Sequence, residues 1–80
     1  MAHIAYRFRT DIGTFVIRAE RHDPRRAELW VNGECCGSYV NARKAASSVR
    51  SHATGFERWD AAPHLQPPAK LKEWQQVLDF

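Results

Sequence analysis

Hydrophobic and polar positions alternate at the start of the chain. In residues 3–9 every second position is hydrophobic, and Arg or His occupies most of the positions between them. This alternation predicts a strand with one buried side. Turn residues follow from Thr10 to Gly13, where Gly13 is free to adopt a positive φ, and residues 14–20 return to extended, β-branched character. The beginning of the chain therefore predicts a β-hairpin.

A second hairpin is predicted around Asn32-Gly33. Residues 21–26 contain an Asp-Pro dipeptide and predict an exposed polar loop, because the residue before a proline disfavours helical geometry. The segments 28–31 and 34–40 are extended in character, and Asn-Gly between them meets the positive-φ requirement of a type I′ turn. Such a turn fixes the opposed pairs as Val31 with Glu34, Trp30 with Cys35, and Leu29 with Cys36.

The period becomes helical after Asn41. This residue is a good amino-terminal cap for a helix that continues to about Ala53, and Gly55 is expected to end it. The apolar positions of the helix are mostly alanine and form one stripe, which favours close approach to a sheet.

The remaining segment combines an irregular stretch with a second amphipathic pattern. Residues 56–67 have no period, yet Phe56, Trp59 and Leu65 are too apolar to lie free of the core in so small a protein. Proline at the start of a helix is favoured, and Pro67-Pro68 precedes an apolar stripe that predicts a helix over residues 69–79. The stripe consists of Leu71, Trp74, Val77 and Leu78.

The predicted fold class is α+β, a single domain over residues 1–80. It is an antiparallel four-stranded meander packed against two helices, in the order β-β-β-β-α-α. Alternation then assigns one face of the sheet to the core and leaves a second face with Arg7, Arg9, Val16, Arg18, Trp30, Cys35 and Tyr39. An alternative remains open, in which the carboxy-terminal segment with Trp59 and Trp74 covers this second face and buries Trp30 and Tyr39.

Composition and charge exclude several classes of protein. The chain has 80 residues and a net charge of +3, and nine of its twelve cations are arginine. The positive excess lies upstream of residue 56. No run of apolar residues is long enough for a spanning helix, and the amino terminus lacks the apolar stretch of a signal peptide, so we expect a cytoplasmic protein without a membrane partner.

Catalytic, metal and cofactor chemistry finds little support in the sequence. Cys35 and Cys36 are adjacent and point to opposite sides of an undistorted strand, so they cannot both bind one metal ion. Ser48 and His52 are neighbours on one helix, but no Gly-x-Ser-x-Gly motif accompanies them. The histidines are scattered at His3, His22, His52 and His64. We therefore expect a protein that binds other molecules without a cofactor or metal and is not an enzyme.

Several short motifs resemble those of a known group of proteins. They span residues 13–60 and consist of Gly13-Thr14-Phe15, Leu29-Trp30-Val31-Asn32-Gly33-Glu34, Gly37-Ser38-Tyr39, Ala45-Ala46, Val49, Thr54-Gly55 and Trp59-Asp60. This pattern resembles that of a family of short, uncharacterised bacterial proteins. The resemblance implies a compact stand-alone domain and carries no established activity.

Residues 14–53 are also similar to two families of DNA-binding domains. Meander strands, an aromatic residue before a small polar one, and an Ala-Ala helix are shared with ethylene-response-factor-type domains and with the amino-terminal domains of phage integrases. Those families read DNA with Arg and Trp side chains on the exposed sheet face. The similarity implies such a role for Arg18 and Trp30, whereas Arg7 and Arg9 lie outside the matched region.

Two functions therefore follow from the sequence as hypotheses. Arginine neutralises phosphates and an aromatic ring stacks on an unpaired base, so the basic and aromatic sheet face with the adjoining helix edge predicts nucleic-acid binding. The candidate residues are Arg7, Arg9, Arg18, Trp30, Arg43 and Lys44. The alternative is a protein–protein interaction module or a small homodimer, in which the same patch forms the interface.

Overall fold

The fold is an α+β arrangement of one antiparallel sheet and two helices of unequal length. A computed structural model describes the backbone of residues 3–79 and the side chains of residues 4–78. In chain order its elements are strands β1 (His3–Thr10), β2 (Gly13–Ala19), β3 (Ala27–Val31) and β4 (Glu34–Tyr39), helices α1 (Ala42–Arg50) and α2 (Glu57–Asp60), a 3₁₀ turn (Leu71–Glu73) and strand β5 (Gln75–Asp79). The sheet has five strands in the order β4-β3-β2-β1-β5, one more than predicted.

The turn between β1 and β2 depends on side-chain hydrogen bonds rather than on an unusual backbone angle. The Thr10 Oγ1 accepts the N–H groups of Ile12 and Gly13 at 3.1 and 3.0 Å. Gly13 does not use the positive φ that the sequence leaves open to it, since the glycines with positive φ in the described chain are at 33 and 55. Glycine at 13 instead leaves room for the Asn32 amide, which would lie 3.2 Å from a Cβ there.

The hairpin between β3 and β4 forms at Asn32-Gly33, as predicted. The two residues have φ values of 52° and 83°, which are the positive angles that a type I′ turn requires. Asn32 also joins this turn to β2, because its Oδ1 accepts the Thr14 N–H at 3.0 Å and its own N–H donates to the Thr14 carbonyl at 3.0 Å.

The register of β4 is interrupted by a bulge. Val31 opposite Glu34 and Trp30 opposite Cys35 are confirmed, but Leu29 lies opposite Gly37 and not opposite Cys36. The extra residue reverses the alternation of the strand beyond it. Tyr39 consequently packs against the core, and its predicted position on the outer face is wrong.

Helix α1 begins at the predicted cap and ends earlier than predicted. The Asn41 Oδ1 accepts the Lys44 N–H at 2.9 Å. After Arg50 the chain leaves the helix through His52, whose φ is 55°, and the predicted stop at Gly55 is wrong. The N–H of His52 bonds to the Val49 carbonyl and that of Ala53 to the Ser48 carbonyl, the pattern of a Schellman motif.

The core lies between one face of the sheet, called the inner face, and the segments that follow β4. It is formed by Phe15, Ile17, Ala27, Leu29, Val31, Ala45, Ala46, Val49, Trp59 and Trp74. Phe56 and Leu65 pack against it, so the prediction that the irregular segment is anchored on the core is confirmed. The alternative in which Trp59 and Trp74 cover the other sheet face is wrong, because both rings contact Phe8 on the inner face.

The helix predicted over residues 69–79 is absent, and a strand takes most of its place. A 3₁₀ turn is followed by Trp74, which is buried, and then by β5, which pairs with β1 from His3 opposite Asp79 to Arg7 opposite Gln75. Without β5, β1 would be an edge strand whose outer N–H and C=O groups are unpaired. Hydrogen bonds to these groups favour a strand over a helix for residues 75–79.

Candidate functional site

The second face of the sheet, called the outer face, carries four of the six predicted site residues. It is defined by Arg7, Arg9, Val16, Arg18, Trp30 and Cys35. Helix α1 packs on the inner face, and no helix of residues 3–79 packs against the outer face. Arg7, Val16 and Trp30 lie opposite one another in a row across β1, β2 and β3. The structure therefore brings arginine and tryptophan together on one open surface.

Trp30 is held on the outer face by two contacts. The Arg18 guanidinium carbon lies 5.3 Å from the centre of the Trp30 ring, a cation–π contact. The Trp30 Nε1–H donates to the Glu28 Oε1 at 3.1 Å. Trp30 is half-buried and stands outside the core cluster. Arg18 and Trp30 thus form one cation–π unit on this face.

Arg7 is fixed across the β1–β5 pair. Its Nε and Nη2 both donate to the Gln75 Oε1, at 3.0 and 2.8 Å. A guanidinium has five N–H donors, so Arg7 keeps N–H groups that can bond to another acceptor. Arg9 lies opposite Thr14 at the turn end of the hairpin and is exposed. Both cations stand at the β1 side of the face.

Among the side chains of residues 4–78, the acidic groups of the sheet lie near β4. The Glu20 Oε2 accepts the Ser38 hydroxyl at 2.8 Å and the Arg26 Nε–H at 3.3 Å. Glu28 lies opposite Ser38 and accepts the Trp30 ring N–H. Considering only the side chains that the structure describes, the positive charge of the outer face is greatest at the β1 end of the row.

The helix residues Arg43 and Lys44 do not join this face. Both are exposed on α1, which covers the opposite side of the sheet. Arg43 lines a groove with Arg50, Lys70 and Lys72, whereas Lys44 lines a separate depression near Arg26. The predicted site is thus divided between the two sides of the sheet. Lys70 and Lys72 were missed because a helix was predicted where the groove wall forms.

The adjacent cysteines lie in different environments. Cys35 is exposed on the outer face, and Cys36 is half-buried against the core. Burial raises the pKa of the Cys36 thiol, and the neighbouring Cys35 and Glu34 raise it further. A reactive thiolate is disfavoured at Cys36. Among the described side chains no group of three His, Cys, Asp or Glu is arranged to hold a metal ion, and the side chain of His3 lies outside the described residues.

Ser48 and His52 both stabilise the helix end. The Ser48 hydroxyl donates to the Ala45 carbonyl at 2.7 Å. The His52 ring stacks on Trp59 with 4.6 Å between ring centres, and its Nδ1 lies 2.8 Å from the Trp59 carbonyl oxygen. A carbonyl oxygen only accepts, so Nδ1 carries the proton there.

The Thr54-Gly55 and Trp59-Asp60 motifs meet in one hydrogen-bonded turn. The Asp60 carboxylate accepts the Thr54 N–H, the Thr54 hydroxyl and the Gly55 N–H, at 2.8 to 3.2 Å. The Trp59 Nε1–H donates to the Val49 carbonyl at 2.8 Å in the core. These motifs therefore have structural roles in joining α1 to the segment that follows.

Comparisons with family models, with curated proteins and with solved structures found no match for the chain. Within residues 3–79 no helix has the length and apolar character needed to cross a bilayer.

Proposed function

We propose that the protein binds single-stranded nucleic acid through the outer face of its sheet. The observation that supports this proposal is the shared position of Arg7, Arg9, Arg18 and Trp30 on a face that no described helix covers. Arginine neutralises phosphates, and unpaired bases stack on aromatic rings and on guanidinium planes. The cationic and aromatic groups that these contacts need are neighbours on the outer face.

The spacing of the row suits a strand laid across the sheet. Arg7 and Trp30 belong to strands that are two positions apart in the sheet, a distance of about 10 Å. Phosphates would contact Arg7 and Arg9 while a base stacks on the Arg18–Trp30 unit. The two hydrogen bonds from Arg7 to Gln75 hold the guanidinium before the ligand arrives, which reduces the entropy lost on binding. Residues 14–53 resemble in sequence two families of domains that read DNA with an exposed sheet face, and on this proposal the outer face would correspond to that surface.

The test is a titration of labelled single-stranded DNA and RNA oligonucleotides, followed by fluorescence anisotropy. Wild type and an Arg7→Gln/Arg9→Gln variant are compared with a matched control, Arg21→Gln/Arg58→Gln, which removes the same charge from exposed positions off this face. We expect the affinity of the wild type to fall steeply between about 50 and 200 mM salt, because bound phosphates release counterions.

The comparison of variants decides whether the face is the binding site. The outer-face variant should lose about tenfold or more in affinity and reduce the salt slope by about 0.7 for each phosphate that an arginine no longer neutralises. The control should bind nearly as the wild type does. Equal losses in both variants, or no binding of the wild type at low salt, would overturn the proposal.

A second candidate function is self-association at the β5 edge. Ile4 and Leu78 lie opposite each other on β1 and β5, and they are 52% and 65% exposed. Strand β5 is also the last strand of the sheet, so its outer backbone groups are open to another strand. A second copy pairing there would continue the sheet and cover both side chains.

Sedimentation equilibrium tests this candidate directly. A dimer that dissociates in a Leu78→Lys variant and persists in a Val40→Lys variant would support pairing at β5, because Val40 is equally exposed and lies beyond β4. A wild-type chain that stays monomeric at high concentration would exclude self-association. It would leave the nucleic-acid proposal unaffected.

A further inference from the structure

A basic groove lies on the opposite side of the molecule from the outer face. It has a volume of about 760 Å³ and runs between α1 and the chain around Lys70. Tyr6 and Gln76, on the inner face of β1 and β5, contribute to its lining. Pockets that bind small ligands have volumes of this size.

The charge of the groove is of one sign. Arg43 and Arg50 project from α1 on one wall, and Lys70 and Lys72 lie on the other. Among residues 4–78, whose side chains the structure describes, no Asp or Glu lines it. The nearest acid in sequence, Glu73, turns its Oε1 to the backbone N–H of Lys70 at 2.9 Å. Four cations around one cavity repel each other, and an anionic ligand would relieve that repulsion.

A hydrogen bond and core contacts connect the two walls of the groove. The Arg50 Nη1–H donates to the Ala69 carbonyl at 3.3 Å, and Ala46 and Leu71 pack with the core beneath. Its walls are therefore positioned by the fold rather than by long mobile side chains alone. A ligand would meet a largely preformed cavity, which favours specific binding over diffuse attraction.

The spacing of the cations indicates an extended anion. Arg43 and Arg50 are seven residues apart on α1, about 10 Å along the helix axis. A chain of two or three phosphates can contact both guanidinium groups while each side chain extends from its own turn of the helix. Tyr6 is half-buried and adds an aromatic surface, and Gln76 adds an amide that can donate and accept. The Gln66 Nε2–H donates to the Pro63 carbonyl at 2.9 Å, so Gln66 adds its Oε1 as an acceptor. A chain of phosphates joined to a heterocyclic ring would use all of these groups.

We propose that this groove binds a nucleoside di- or triphosphate. The phosphates contact Arg43, Arg50 and the two lysines, and the base lies toward Tyr6 and the glutamine amides. This site is separate from the outer face in position and in ligand. It does not depend on the nucleic-acid proposal, and it gives Arg43 a role apart from the sheet arginines.

The experiment is isothermal titration calorimetry of the wild-type chain with ATP, with inorganic tripolyphosphate and with a short single-stranded oligonucleotide. The test variant, Arg43→Gln/Lys72→Gln, removes one cation from each wall. The control, Lys44→Gln/Arg58→Gln, removes one Lys and one Arg from exposed positions outside the groove. Circular dichroism confirms that each variant is folded.

We expect ATP to bind more tightly than tripolyphosphate, and the test variant to weaken ATP binding at least about tenfold while the control changes it less than about twofold. The Arg7→Gln/Arg9→Gln variant should bind ATP as the wild type does. Absence of ATP binding, or equal losses in test and control variants, overturns the site. Equal affinities for tripolyphosphate and ATP overturn the nucleoside assignment. If the oligonucleotide displaces ATP, and if oligonucleotide binding is lost in the Arg43→Gln/Lys72→Gln variant, the groove binds nucleic acid instead.

Discussion

The carboxylate of Asp60 closes the turn that begins at Thr54. It accepts both the backbone N–H and the hydroxyl of Thr54, and it also accepts the Gly55 N–H. Burial alone would raise the pKa of the Asp60 carboxyl, but the hydrogen bonds from Thr54 and Gly55 outweigh burial and lower it below its ordinary value. Asp60 thus joins α2 to the chain that leaves α1.

Replacing Asp60 by Asn should destabilise the fold. The amide is the same size, but its NH₂ group would face the donors of Thr54 and Gly55. Loss of a charged acceptor for such donors costs about 1–3 kcal/mol in the free energy of unfolding. Urea denaturation at neutral pH measures this difference. An Asp23→Asn variant is the control, because its partly exposed carboxylate bonds to the neighbouring Arg25 in the same loop, and the denaturation midpoint of this variant should hardly move.

The hydrogen bonds between Asp60 and Thr54 also predict that the stability of the fold depends on pH. The pKa of Asp60 is lower in the folded chain than in the unfolded one, so its ionised form stabilises the fold above the unfolded pKa of about 3.9. This contribution is lost as the pH falls through the folded pKa. The stability difference between wild type and Asp60→Asn should be constant near neutral pH and shrink below about pH 4. A difference that grows on acidification would contradict the assigned direction.

Replacing Gly33 or Gly13 by alanine should destabilise the fold, for a different reason at each position. At Gly33 an added Cβ meets nothing within 4 Å, but the φ of 83° is unfavourable for an L-residue by about 1–2 kcal/mol. At Gly13 the backbone is ordinary, and the Cβ would press on the Asn32 amide at 3.2 Å. A Gly33→Asn variant should recover most of the loss because Asn tolerates this conformation, whereas Gly13→Asn should not. Thermal denaturation of the alanine and asparagine variants at both positions separates the conformational cost in stability from the steric cost.

The two thiols should react at different rates. Cys35 is exposed, whereas burial raises the pKa of the Cys36 thiol and restricts access to it. A thiol reagent at neutral pH should therefore label Cys35 first, and Cys36 mainly after denaturation. Mass spectrometry of wild type, Cys35→Ser and Cys36→Ser follows each site. Equal rates in the folded protein would show that the bulge opens readily.

Trp30 should account for the tryptophan fluorescence that solvent reaches. Trp59 and Trp74 are 0% and 3% exposed, while Trp30 is half-buried on the outer face. Acrylamide should quench part of the wild-type emission, and that part should disappear in Trp30→Phe but remain in Trp74→Phe. If oligonucleotides bind as proposed, they should quench the same component by stacking.

Local signals in the sequence predicted the parts of the fold that depend on a few neighbouring residues. The turn at Asn32-Gly33 and the cap at Asn41 follow from backbone angles and side-chain hydrogen bonds within a short segment. The helix end was misplaced because His52 takes a left-handed conformation that glycine usually occupies, supported by stacking on Trp59 seven residues later. The bulge at Cys36 likewise has no local sign in composition.

Strand β5 was missed for a nonlocal reason. Leu71 and Trp74 fit a helical period, but the hydrogen-bonding edge of β1 determines the conformation of the residues after them. This error also concealed Lys70 and Lys72 as groove residues. The outer-face positions of Arg7, Arg9, Arg18 and Trp30 followed from strand alternation alone, because no bulge interrupts β1, β2 or β3.

The pairing of β5 with β1 gives the molecule an order of assembly. Arg7 and Gln75 are hydrogen-bonded although 68 residues separate them, whereas the hairpins close over short turns. Ordering so long a loop loses more entropy than closing a hairpin, so we expect β5 to dock after the first four strands have formed. The same strand should open first in the native state, and amide hydrogens of β5 should exchange with deuterium faster than those of β2 and β3. Each such opening would uncover β1 and leave the meander intact.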